Sequence, residues 1–518
     1  MVRNIAVAAA IAVVATTALF LVNLAVTGLG PDRYRDVVLE AMRDGTLTRT
    51  VRQPLAPGRE IPLVGGTDCL VLGMLVVRRD TPVMASISPR VPDVHDRVLE
   101  QPEPGFGNDL FCRLLGKTMG VHLGKPVAVT VLNHHRYLHG TFTLAALTLA
   151  LVPLRVAGLV WVSLCFFAVA VLALAAVLRM RSPDPDERRR ALTFLIIAAA
   201  LATFYALPIF GRAFAHAPSD LVLIGFLLFG LLFPVNALPE RTFAIVVALF
   251  GAAIAILEML TGGIPIGLAA VITVVALGGA PQDVAPAGAD PLHHHGRAPG
   301  HGIRAALAGV GHALMRRRLI VGVACYAAAI TACFVTKLVG IALVWGPDEV
   351  GLFFGLLGMR MIGEIGAWPL LDQWAARFGF DAGLFDRSVL ARLVVTFVMI
   401  TYSGFVLAWG SHALGAALVL LPVPLLAVLT CVAQRRVDRE QWRLLPQPLL
   451  LVASLVPFAW YLAFTWHTAT HSYFMVRPLA LNVALVAIAA VLLPRRRVLA
   501  DDPHRDVPRT QPSRVPAP

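Results

Sequence analysis

The chain has 518 residues, 58% hydrophobic and 14% charged, with a mean hydropathy of +0.75. That balance excludes an ordinary soluble enzyme, and a transmembrane barrel would instead show alternating segments of about ten residues. The formal charge of +13 gathers mainly in short connections and tails, as expected of cytoplasmic segments, rather than in a stripe fitted to nucleic acid.

The first apolar stretch, residues 5–28, follows Arg3. It is too long for a secretory signal core and has no clear cleavage site, so it reads as a retained first span within a segment 1–30. Residues 31–140 form a large polar segment with many prolines and glycines. Two short amphipathic stretches inside it, "DCLVLGMLVV" (68–77) and "DLFCRLLGKTMG" (109–120), read as helices lying on the membrane surface. Cys69 and Cys112 both fall in this segment. If it faces the outside, the compartment permits a bridge between them.

A bundle follows over 141–280. Pro153 and Arg155 divide its first apolar run, so 141–152 lies in the interface and 156–178 crosses inward to Arg188, Arg189 and Arg190. Further spans read at 191–207, 220–235, 242–260 and 264–280. Residues 281–318, with "HHHGRAPGHG" and Arg316–Arg318, read as a flexible cytoplasmic linker. A second bundle over 319–494 holds spans at 319–344, 389–409, 412–433, 447–465 and 478–494, plus a weakly apolar one at 350–368 carrying Arg360 and Glu364. Residues 495–518 form a disordered tail that starts with three arginines. The expected fold is an all-α polytopic membrane protein of about 12 transmembrane helices, with both termini cytoplasmic and a large exoplasmic loop after the first span.

This topology sends the unusual polar clusters to one side. "HHRYLHG" (134–140) supplies Arg136 and His139, and "FGRAFAHAPSD" (210–220) supplies Arg212, His216 and Asp220. Lys337 lies in an outer leaflet, and "WHTATHSYFMVRP" (466–478) supplies His467, His471 and Arg477. Ionisable groups at membrane depth cost about 2.5–3.5 kcal/mol each, so they usually face one another, water or a ligand. Arg212, Lys337 and Arg477 are expected to form one cationic pocket fitted to a phosphate, since arginine offers a two-pronged donor and lysine a point charge. Blander roles compete: Arg477 as a helix-end anchor, Lys337 snorkelling outward, and Arg212 pairing with Asp220 across a turn. His467 and His471 share a helix face, but no glutamate completes a zinc motif with them.

A sugar transfer needs a base for the acceptor proton and positive charge near the departing phosphate. Asp68, in "VGGTDCLVLG", ranks first as base, because flanking glycines permit close approach; capping its own helix is the competing role. Asp32, in "GLGPDRYRD", ranks second. No Walker, GxSxG or zinc pattern appears.

The layout, with "GGTDC", "HHRYLHG" and "HSYFMVRP", resembles the GT-C class of membrane glycosyltransferases. That class has a first span, then a long exoplasmic loop with surface helices and an acidic residue, then many spans. The acids of "PDRYRD" stand four apart, unlike the paired acids the class carries after span one. The resemblance implies a bacterial inner-membrane enzyme of surface-glycan assembly, with partners a polyprenyl-phosphate-linked sugar, a glycan or lipid acceptor, and membrane lipids. No cofactor is specified, and a divalent metal remains an option. Rival readings are a polysaccharide polymerase or ligase, a flippase for lipid-linked glycans, and a membrane acyltransferase. The last would be favoured by histidines in the cytoplasmic half of a span, and none occurs.

Overall fold

The computed structural model describes residues 1–47, 51–52, 60–61, 65–77, 81–92, 110–120, 130–135, 137–235, 237–258, 262–278, 300–362, 388–394, 396–397, 400, 420–436, 446–470 and 475–493. Helix dominates, as expected of an all-α protein. Among the described residues four helices are long and apolar enough to cross a membrane: α1 (Val2–Gly28), α7 (Leu154–Arg179), α11 (Glu240–Leu257), and residues Ala313–Val344 of α13 (Gly300–Val344). Shorter apolar helices accompany them: α6 (Gly140–Leu149), α10 (Ala217–Leu232), α12 (Gly263–Leu277), α16 (Gln447–Ala463) and α18 (Leu479–Val491). Helices α8 (Pro185–Phe204) and α15 (Pro422–Arg436) pack among them.

Several boundaries differ from the sequence expectation for identifiable reasons. Helix α8 begins at Pro185, before its apolar run, because the Asp184 side chain accepts the Asp186 N–H (3.0 Å) and Pro185 starts the first turn. Helix α13 begins at Gly300, so residues 300–318 of the expected linker are helical. The expected span 350–368 is helical over Asp348–Ile362 (α14). Its residue Glu364, and most of the expected span 389–409, lie outside the described residues.

Polar contacts gather at one end of the bundle. Asn4 donates to Glu240 (2.8 Å), which also pairs with Arg317 (2.5 Å). Arg179 bridges Glu187 (2.8 Å) and the Leu232 carbonyl (3.0 Å), while Arg190 reaches the Gly230 carbonyl. Arginines thus satisfy the last carbonyls of α10, where the helix dipole favours positive charge.

At the opposite end sits the segment between α1 and α7. It holds α2 (Asp32–Arg43), α3 (Gly65–Val76), α4 (Pro82–Ile87) and α5 (Leu110–Met119). Helices form at both expected stretches, but they do not lie on a surface: residues 68–75 of α3 and Cys112, Leu114 and Leu115 of α5 are buried, and α3 begins at Gly65, which puts Asp68 inside the first turn rather than at its cap. Two short antiparallel pairs are added, the first joining β1 (Val51–Arg52) to β2 (Glu60–Ile61). In the one that bears on the site, strand β3 (Arg90–Pro92) lies beside β4 (Val131–Asn133), with Arg90 opposite Asn133. Cys69 and Cys112 form a disulfide between α3 and α5, with Cα atoms 5.0 Å apart. Tyr34, Val71, Leu72, Leu115, Phe142 and Phe214 build a separate apolar core there.

This segment is bolted to the bundle by hydrogen bonds. Asn23 of α1 donates to the Ser86 carbonyl (3.1 Å) and accepts from Thr143. Thr27 donates to the Pro82 carbonyl (3.2 Å). Gly140 allows α6 to abut α11: a Cβ there would stand 2.7 Å from the Ile256 carbonyl oxygen.

Candidate functional site

The loop over residues 211–216, between α9 (Leu207–Phe210) and α10, joins the two layers. Its Phe214 and Ala215 N–H groups donate to the Asp68 carboxylate. Asp68 is 4% exposed, and its Oδ1 has no hydrogen-bond partner among the described residues. Burial raises its pKa to about 8, with the two amides pulling the other way. Asp68 therefore clasps another part of the chain instead of capping its own helix. Asp32, the second candidate base, is exposed at the start of α2.

The far end of the same loop carries His216, whose Nδ1 accepts from Arg477 Nη1 (2.9 Å). Arg477 also pairs with Asp220 through Nη2 and lies over the rings of Tyr205 (4.4 Å) and Phe210 (4.9 Å). Tyr205 donates its hydroxyl to the same Asp220 oxygen (3.0 Å). The other, Asp220 Oδ2, has no partner among the described residues. The expected Arg212–Asp220 pair is thus replaced: Asp220 takes Arg477, and Arg212 is exposed. The physical reason is position. Asp220 is in the first turn of α10 with its side chain buried, whereas Arg212 sits on the outward side of the loop. Glu258, also buried, accepts the Gly263 N–H (2.9 Å) at the start of α12.

A second polar cluster fastens "HHRYLHG". Lys337 does not snorkel outward; it is fully buried and donates to the Tyr137 carbonyl, with His139 Nε2 at 3.0 Å. His139 itself holds a left-handed backbone (φ 64°) before α6 and meets the His134 carbonyl (2.7 Å). Burial, with Lys337 next, lowers the His139 pKa well below its ordinary value, keeping the ring neutral. His135 joins Ser88 (2.6 Å) to Glu349 (2.5 Å).

The three cations expected in one pocket therefore occupy three settings: Arg477 against Asp220 and His216, Lys337 against Tyr137 and His139, and Arg212 exposed. His467 is buried in a short helix, α17 (Thr465–Thr470). Arg136 and His471 lie outside the described residues. Among the described residues no group of three or more His, Cys, Asp or Glu side chains could hold a metal ion. Sequence reading missed Tyr205, Phe210, Ser88 and Glu349. No local motif marks them, because each gains its partner from a distant segment. No known protein family matches the chain, and no curated protein or solved structure is significantly similar to it.

Proposed function

We propose that the chain is a polytopic membrane glycosyltransferase that moves a sugar from a polyprenyl-phosphate-linked donor to an exoplasmic glycan or lipid acceptor. In this reading about 12 helices cross a bacterial inner membrane, the arginine-rich end is cytoplasmic, and the disulfide-linked segment is outside. The observation that supports it is the 211–216 loop. It carries Arg212, exposed and free to meet a phosphate oxygen; its Phe214 and Ala215 amides hold the Asp68 carboxylate by one side; and it delivers His216 to Arg477.

Asp68 would be the base. Its carboxylate keeps one buried oxygen, Oδ1, without a partner among the described residues, and a pKa near 8 gives it more basic strength than an ordinary aspartate. As that hydroxyl attacks the anomeric carbon, its proton passes to Asp68, the bond to the donor phosphate breaks, and Arg212 meets the departing charge. Arg477, already neutralised by Asp220, would position the loop through His216 rather than bind phosphate.

The test is reconstitution of the full chain in liposomes with radiolabelled polyprenyl-phosphate sugars. Asp68→Asn should retain donor binding and lose transfer by about 10²–10⁴-fold, the usual worth of a general base. Arg212→Ala should weaken donor binding. Wild-type protein that transfers no sugar from any donor offered would refute the reading, as would full activity of Asp68→Asn. Product length separates single transfer from polymerisation.

A further inference from the structure

Outside that site, three distant segments bring a serine, a histidine and a glutamate into one line. Ser88 follows α4, His135 follows β4, and Glu349 lies in the first turn of α14. The Ser88 hydroxyl is 2.6 Å from His135 Nδ1, and His135 Nε2 is 2.5 Å from Glu349 Oε2. The proton positions follow from chemistry. An ionised carboxylate can only accept, so Nε2 carries the hydrogen, Nδ1 is left as acceptor, and the serine O–H donates to it. Burial lowers the His135 pKa despite the glutamate beside it, so the ring is the neutral form that can take a proton.

A fourth group stands next to this line. The Trp345 ring lies edge-on to His135, with centroids 5.9 Å apart. Its indole N–H is buried and has no hydrogen-bond partner among the described residues. A buried donor left unpaired is costly, and this one belongs to the ring that packs on the histidine of the line. An ester carbonyl oxygen is the kind of group that would use it. Ser88 and the His135 ring are fully buried, while the Glu349 side chain is 29% exposed, so the cluster meets solvent from the glutamate side.

We propose that Ser88, His135 and Glu349 act as nucleophile, base and orienting carboxylate for acyl transfer from an oxygen ester at the outer face, with Trp345 donating to the carbonyl oxygen. The arrangement has the roles of a serine–histidine–acid set, with the two ring nitrogens exchanged. The serine oxygen bonds to the ester carbon as its proton moves to His135 Nδ1. The carbon–oxygen bond to the alcohol then breaks, and the alcohol leaves with that proton. Water, or a second alcohol, attacks the acyl-serine along the same proton path and releases the acid or a new ester.

The experiment uses the purified full-length chain in detergent, an alkyl fluorophosphonate as probe, and peptide mass spectrometry. The native protein should gain one adduct, on Ser88, and none in Ser88→Ala. His135→Gln should abolish the adduct, Glu349→Gln should slow its formation at least tenfold, and Trp345→Phe should slow it while keeping the ring. An intact Cys69–Cys112 bridge and unchanged gel filtration confirm folding of each variant. An unmodified Ser88 peptide in the native protein would overturn the proposal. So would labelling that appears only after denaturation, or that His135→Gln leaves unchanged.

Discussion

Arg477 and Asp220 stand 257 positions apart in the chain yet form a buried ion pair, with Arg477 lying against Tyr205 and Phe210. Removing either partner alone leaves an uncompensated charge inside the protein. Asp220→Asn or Arg477→Met should each cost about 3–5 kcal/mol, whereas the apolar double replacement Asp220→Leu with Arg477→Met should recover much of that loss. Fluorescence-detected gel filtration after graded heating measures the difference. Equal losses in the single and double variants would mean that the pair is not the unit of stability.

The Asp68 carboxyl titrates near 8 in the folded chain against 3.8 for its ordinary value. Between those two values the folded state binds the extra proton. Stability should therefore fall as pH rises from about 4 to about 8, by at most about 1.4 kcal/mol per unit from this group, and level off above. Asp68→Asn, which keeps an oxygen for the loop amides, should flatten that slope. Melting temperatures of the two proteins across pH 5–9 check it. Under the proposed function the wild-type transfer rate should rise over the same interval as the base ionises.

The bridge between Cys69 and Cys112 closes a loop with a sequence separation of 43. On the chain-entropy account its loss should destabilise the segment between α1 and α7 by about 4 kcal/mol. Paired Cys69→Ser and Cys112→Ser replacement should make residues 65–120 the first to be cut in limited proteolysis. Wild-type protein should show the same pattern only with a reductant present.

Orientation is open to direct labelling. Arg212 and Arg189 are both exposed, on loop 211–216 and in the first turns of α8 respectively. Arg212→Cys should react with an impermeant maleimide on intact cells, and Arg189→Cys only after the membrane is opened. The reverse pattern would place the arginine-rich end outside and invert the topology.

Helices were the most legible part of the sequence, because each apolar run carries its own length and punctuation. Prolines and aspartates at helix starts, as at Asp184–Pro185, then moved boundaries by a few residues. Between α1 and α7 the Cys69–Cys112 bridge and the existence of α3 and α5 were legible, but not that both helices would be buried in a core of their own. Partner choice was not. Arg477, Asp220, His216, His139 and Lys337 stand out as polar residues in apolar surroundings, but composition cannot say which will meet which. Arg212 shows the limit plainly: near Asp220 in sequence, it is left exposed because a residue from the other end of the chain takes that carboxylate.

Under the proposed topology, the segment between α1 and α7 is made early and completed late. Its translocation would follow α1, but the amides that hold Asp68 come from residues 214–215, and the lysine that fixes Tyr137 comes from position 337. In that topology the segment would wait during synthesis, its carboxyl and carbonyl still wet, until two later stretches of chain had been inserted beneath it. A ribosome stalled before residue 214 would leave an exported lobe that an oxidase can bridge but that has nothing to dock upon, and such a nascent chain would depend on a chaperone on the far side of the membrane.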